Sequence, residues 1–224
     1  MDFRKITSTV LFGFLIISCS DKKEETINSN PLTTHDSGDE EDALETVSFE
    51  ENATMKNWLT FYQKDNPELD MGSFEMQQTE KLEMMQGSVK GVFDPEFDSV
   101  YEPFLVYNPS KTMYIDLDSY HWSPDKDGKP MFEAAQEVNL VNLKDKTVQR
   151  IGFYGPSHRA EDAFWMTDSV FVILENNDEH QMGFQLYNLM ENTVSNYNTT
   201  QTLKSVSNAY FETRLNQKGV EVSD

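Results

Sequence analysis

Through the second half of the chain, short apolar runs alternate with turn-forming residues, and one such pattern is written twice. Val138 to Val148 reads Val-Asn-Leu-Val-Asn-Leu-Lys-Asp-Lys-Thr-Val, and Phe184 to Val194 reads Phe-Gln-Leu-Tyr-Asn-Leu-Met-Glu-Asn-Thr-Val; the offset is 46 (184 − 138) and five of the eleven positions are identical. Each copy predicts a β-hairpin: an apolar strand, a short polar turn and a second strand opening on Thr-Val. The turns, Lys144-Asp145-Lys146 and Met190-Glu191-Asn192, are three-residue loops whose last residue is expected in the left-handed region, which suits Asn192 better than Lys146. Leu140 falls on one strand face and Val141 with Leu143 on the other, so these strands require cover on both sides.

The same reading places strands at Phe104 to Tyr107 and Met113 to Leu117, around the turn signal Asn108-Pro109-Ser110-Lys111. Ile151 to Tyr154 extends the first hairpin, Gly155-Pro156-Ser157 breaks the chain, and Ala163 to Met166 with Val170 to Leu174 flank Thr167-Asp168. Ala209 to Arg214 is read as a last strand. Two four-strand units result, about 103–154 and 163–197. Ahead of them, Asn52 or Thr54 caps a helix running to Lys64, with Met55, Trp58, Leu59 and Tyr62 on one face and Asp65-Asn66-Pro67 ending it. Phe74 to Met85 supports two readings: Phe74 and Met76 alternate like a strand, whereas Thr79 to Met85 fits a helix. Met71, Met76, Met84 and Met85 have no histidine near them, so they are read as flexible core filling and not as copper ligands.

Composition narrows the function classes. The 224 residues carry a formal net charge of −21 and a sequence pI near 4.4, and no dense Lys/Arg cluster is present to meet a phosphate backbone, so nucleic acid is not expected as a partner. Cys19 is the single cysteine, which excludes an intramolecular disulfide and a thiolate metal cage.

Cys19 follows Arg4, Lys5 and an apolar run from Val10 to Ile17, and is preceded by Ile16-Ile17-Ser18. That arrangement resembles the lipobox of bacterial lipoproteins, with isoleucine where leucine is usual. The resemblance implies a signal peptide over residues 1–18, cleaved so that an acylated Cys19 becomes the mature N-terminus. Two or more acyl chains, at about 0.8 kcal/mol per buried CH₂, would hold the protein stably at a membrane. The acidic residues after the cysteine are similar to the surface-export signal of Bacteroidota lipoproteins, and Ser20 in place of aspartate points to the outer membrane. Ser20 to Glu51 holds eleven acidic residues and two lysines, too polar to offset ordering entropy, so residues 19–51 are expected to be a lipidated, disordered tether. A single β-rich domain is expected over 52–224.

Within it, strand, strand and duplicated hairpin resemble the blades of a β-propeller, and His121-Trp122-Ser123-Pro124-Asp125-Lys126-Asp127-Gly128-Lys129 resembles the Trp-Ser-Pro-Asp-Gly-Lys turn of many blades with two residues inserted. A closed propeller needs at least four blades. The expected fold is therefore mainly β: antiparallel sheets from two duplicated, propeller-blade-like units, packed on each other with a short N-terminal helix.

Candidate chemistry is sparse. The histidines, His35, His121, His158 and His180, lie in no metal-pair spacing, and no nucleophile elbow, P-loop or dinucleotide fingerprint is present. Asp125-x-Asp127-Gly128 lacks the remaining ligands of a calcium loop, Gln136 standing at its twelfth position. Tyr120, His121 and Trp122, followed by a polar loop, form a candidate stacking platform for sugar or peptide. His158 with Glu161 and Asp162 forms the one compact acid–base cluster. The sequence thus predicts a non-catalytic binding or accessory lipoprotein of the cell envelope, without cofactor or metal, whose partner is an outer-membrane protein complex or a glycan; the alternative is an envelope hydrolase using His158, Glu161 and Asp162.

Overall fold

In a computed structural model of the chain, the described residues are 49–127, 130–177, 181–200, 202–204 and 209–220, all within the contact unit Leu44–Asp224. The first helix follows from spacing and cap. Asn52 is extended and its side-chain oxygen accepts from the amides of Thr54 and Met55, which starts α1 (Ala53–Gln63). Met55, Trp58, Leu59 and Tyr62 are its buried residues, the stripe that the sequence spacing predicts. Phe49 packs on Phe184 and Tyr197, with ring centroids 5.5 and 6.4 Å apart. The folded body therefore begins by Phe49, inside the stretch read from sequence as tether.

The protein is mainly β, with antiparallel sheets and few helices. The strands are β1 (Phe74–Lys81), β2 (Met85–Gln86), β3 (Val106–Tyr107), β4 (Met113–Asp116), β5 (Trp122–Pro124), β6 (Pro130–Phe132), β7 (Gln136–Asn142), β8 (Thr147–Tyr154), β9 (His158–Trp165), β10 (Val170–Asn177), β11 (Met182–Asn188) and β12 (Thr193–Thr199). One five-stranded sheet has the order β1-β12-β11-β10-β9, the other β2-β8-β7-β4-β3, and β5 with β6 forms a small hairpin. Neither large sheet closes on itself. Both predicted hairpins form, β7–β8 and β11–β12, and Lys146 and Asn192 take positive φ of 53° and 58° at the ends of their turns.

The layers follow from strand alternation. Val138 and Leu140 on β7 join Ile115 and Leu117 against Ala160, Ala163, Phe171, Ile173 and Tyr187 of the other sheet, which is the core between the sheets. The opposite face of β7 and β8, carrying Val141 and Val148, is covered by Leu105 and by Val89, Val92, Phe93 and Phe97 of the connecting loop. On the other sheet, Phe164, Val172, Leu174 and Phe184 pack beneath α1. Both sheets are thus covered on two faces, as the apolar residues on both strand faces require. Corresponding residues of the two hairpins do not meet. Leu140 faces the inter-sheet core, while Leu186, at its place in the second hairpin, packs toward α1, and Tyr187 faces the inter-sheet core instead.

Three expectations change. Ala209 to Arg214 is not a strand but part of a helix, α2 (Ala209–Gln217). Its buried residues Tyr210, Phe211, Arg214 and Leu215 recur at helical spacing; the stripe was obscured because one of its members is an arginine. Phe104 lies in a 3-10 turn, Ser99–Phe104, that contains Pro103, so the strand there is reduced to Val106–Tyr107. The Phe74–Met85 segment holds no helix: Phe74–Lys81 is a strand exposed along most of its length, residues 82–84 are irregular, and Met85 opens β2. Met76 and Met85 are accordingly 58% and 60% exposed and fill no core.

The Lys146 conformation carries a stability cost that glycine avoids. Lys146→Gly is expected to raise stability by about 0.5–1 kcal/mol, read as a higher urea midpoint at unchanged slope; an unchanged or lower midpoint would contradict it.

Candidate functional site

The residues singled out from sequence go to different places. His121 and Trp122 are buried, 1% and 5% exposed, while Tyr120 is 39% exposed. Trp122 packs edge-on to Tyr101 and Phe104, and His121 lies against Phe132 and Phe211. The three therefore share no exposed face. Tyr120 instead meets the exposed Phe153 ring at 6.1 Å. Cys19, Gly128, Lys129, His35 and His180 lie outside the described residues.

The acid–base cluster is divided by a β-bulge. In the β9–β10 ladder, Asp162 pairs with Leu174 and Ala160 with Glu175, leaving Glu161 as the extra residue. The bulge turns Glu161 and Asp162 to the helical side. Glu161 accepts from Trp58 Nε1 (2.6 Å), Tyr62 hydroxyl (2.6 Å) and Asn176 Nδ2 (2.7 Å), and Asp162 from the Tyr210 hydroxyl (3.2 Å). His158 turns to the other face, where Nε2 stands 3.4 Å from Glu175 Oε2 and its ring meets Tyr154 edge-on at 4.9 Å.

That face leads to a cleft. The β9 and β10 side of the sheet offers Ala160, Ala163, Phe171 and Ile173 to its neighbour, but the same face turns polar toward the free edge, where Gln185 pairs with Asn196 and Gly183 with Asn198. On β1, Gln78 continues the row opposite Asn196. Apolar cover stops where the apolar residues stop, and β8 leaves an open cleft of about 620 Å³ over β11, β12 and the end of β1. A second hollow of about 350 Å³ adjoins it, sharing His158, Gln185 and Asn196. Each volume lies in the range of roughly 300–1,000 Å³ usual for small-ligand sites. Gly183 is required here: a Cβ would stand 2.6 Å from Asn198 Oδ1 and 2.8 Å from the Tyr197 carbonyl. Its absence lets the Asn198 carboxamide lie across the floor.

Where the two hollows join, Tyr154, His158 and Glu175 come together. Tyr154 and Glu175 are 4% and 6% exposed; the Tyr154 hydroxyl makes no well-aligned hydrogen bond, and Glu175 Oε2 is paired with His158 Nε2. The Glu175 carboxylate is close enough to raise the His158 pKa above its ordinary value, against the lowering effect of burial. Burial, with Glu175 beside it, pushes the Tyr154 phenol well up, so the hydroxyl keeps its proton and can both donate and accept. A buried hydroxyl without a well-aligned partner is costly and uncommon, and this one lines the opening beside the His158–Glu175 pair.

No protein-family model, curated protein or solved structure matches the chain. The site therefore rests on its own geometry. Sequence reading did not find Tyr154, Glu175, Gln185, Asn196 or Asn198, although one local signal was present: Asn196 and Asn198 alternate with Ser195 and Tyr197, which puts two carboxamides on one strand face. Among the described residues no group of three or more His, Cys, Asp or Glu side chains is arranged to hold a metal ion.

Proposed function

We propose that the protein is an outer-membrane lipoprotein, anchored through acyl chains on Cys19, whose β-rich body is a non-catalytic binding module of the cell envelope with the cleft beneath β8 as its ligand site. One observation carries the binding reading: Tyr154, more than nine-tenths buried, holds a hydroxyl with no well-aligned hydrogen bond beside the His158–Glu175 pair, at the junction of adjoining open hollows. A ligand that pairs with that hydroxyl recovers the free energy that the empty protein forgoes. Photo-crosslinking in cells tests this. A photoreactive residue at Gln185 is expected to give an adduct that one at Lys144, in the exposed β7–β8 turn, does not; equal labelling at both would overturn the reading.

The address is supported by the basic residues, apolar run and Ile-Ile-Ser-Cys ending of the leader. Cys19→Ala is expected to abolish incorporation of labelled palmitate and to release the protein from the membrane fraction. Unchanged membrane association would remove the anchor from the proposal.

The two sheets are inferred to be copies of one blade-like unit. Support comes from three features: the offset of 46 maps β7 (Gln136–Asn142) onto β11 (Met182–Asn188) end to end, both hairpins end their turns on a left-handed residue, and each sheet adds an N-terminal strand beside its last one. The sheets stack front to back, since the Leu140 face meets the Tyr187 face and not its own counterpart. Successive propeller blades stack in that sense, while α1 and the loop before β3 cover the two outer faces here.

A further inference from the structure

We propose that the cleft binds a neutral oligosaccharide, an inference that rests on the binding-module reading and specifies its ligand. The first argument is the chemistry of the lining. Gln77, Gln78, Gln185, Asn196 and Asn198 bring five carboxamides from three neighbouring strands to the two hollows. A carboxamide presents a donor and an acceptor in one plane, and adjacent sugar hydroxyls offer the matching acceptor and donor. The Tyr154 hydroxyl, which makes no well-aligned hydrogen bond, adds a further donor and acceptor where the two hollows join. A site built this way discriminates strongly in favour of hydroxyl-bearing ligands, because analogues without them leave its polar groups unpaired.

Charge narrows the class further. Glu80, Glu83 and Glu175 line the hollows against two basic residues, Lys81 and His158, the latter paired with Glu175, on a chain of net charge −21. Such a field disfavours phosphorylated or uronic-acid sugars. A lipid tail or an amphipathic helix would need a predominantly apolar groove, which this lining is not. An extended peptide would add to a strand edge and seek apolar side-chain pockets, whereas the cleft floor is the face of a sheet.

The test uses the mature acylated protein in nanodiscs, avoiding glycoside detergents. Maltohexaose, cellohexaose, xylohexaose and mannohexaose are titrated by calorimetry, beside hexagalacturonate and the chitosan hexamer as charged counterparts. At least one neutral hexasaccharide is expected to bind at a single site. Tyr154→Phe and Gln185→Ala are each expected to weaken it about tenfold or more, while Lys144→Ala leaves it unchanged. Tyr154→Phe should also hold or raise the melting temperature, since it removes a hydroxyl the unliganded protein leaves without a well-aligned partner; a merely structural tyrosine would lose stability together with binding. Binding of only the charged hexamers, or of none while the Gln185 crosslink still forms in cells, would overturn the neutral-sugar assignment and leave the cleft as a site. Loss of the crosslink as well would overturn both.

Discussion

Arg214→Ala is expected to destabilise the folded body by about 3–5 kcal/mol. Arg214 donates from Nη1 to Asp118 Oδ2 and from Nη2 to Oδ1, each at 2.9 Å, in a fork that fits a carboxylate. Asp118 is 0% exposed and Arg214 4%. Burial alone would raise the Asp118 pKa, but the guanidinium and His121, 3.3 Å away, outweigh it and hold the carboxyl well below its usual range. Removing the arginine therefore leaves a buried charge with only a histidine beside it. The double replacement Arg214→Leu with Asp118→Leu is expected to recover most of the loss, because neither charge is then stranded. The pair also sets an acid limit. A carboxyl whose folded pKa is depressed contributes stability above its unfolded value near 3.8 and loses it as pH falls further. Urea unfolding at pH 7 and below pH 4 tests both parts. A loss under about 1 kcal/mol for Arg214→Ala would show that α2 docks through Tyr210, Phe211 and Leu215 alone.

That pair also shows where the sequence ceases to be legible. The spacing of Met55, Trp58, Leu59 and Tyr62 displays α1 because every buried member is apolar or aromatic, and the hairpin turns are legible because they depend on local backbone chemistry. In α2 the buried stripe includes Arg214, whose neutralising partner lies 96 residues away, so the pattern resembles an alternating strand. β1 was ambiguous for the opposite reason: exposed along most of its length, it has no apolar period to display. Site residues were hidden by abundance and by distance. With 39 Asp and Glu residues in the chain, nothing local marks Glu175 or Glu161 as the buried ones. His158 drew attention to Glu161 and Asp162 by proximity alone, and a single extra residue in β9 then placed those carboxylates on the other face of the sheet. Tyr154 and Glu175 face one opening only once two sheets have stacked, a tertiary outcome that period-2 alternation cannot specify.

Glu161 supplies the second large effect, a stability that rises as the solution is acidified from pH 8 to pH 5. Burial raises its pKa from 4.5 to about 7, against the lowering effect of the hydrogen bonds from Tyr62 and Trp58; Asp162 pushes it up further and Arg214 opposes. For an acid whose folded pKa lies above its unfolded value, the stabilisation is complete below the unfolded pKa and is lost as pH rises through the folded one. The window therefore runs from about 4.5 to about 7, and a shift of that size corresponds to roughly 3 kcal/mol. Asp162, raised by burial, and His158, raised by Glu175, have the same sign, so wild type should show a continuous decline in unfolding free energy across the range. Glu161→Gln is expected to flatten most of that slope and to become the more stable protein above pH 7, because a carboxamide carries no ionisation cost in a buried site. Glu161→Ala is a different case: it takes the acceptor from Trp58 Nε1 and one partner each from Tyr62 and Asn176, and should cost about 2–4 kcal/mol at every pH. Trp58 supplies a local probe, since its indole N–H bonds the carboxylate directly. Its fluorescence should titrate near pH 7 in wild type and remain flat in Glu161→Gln. A wild-type unfolding free energy that stays level between pH 5 and pH 8 would mean that the three donors around Glu161 stabilise the carboxylate as well as water does.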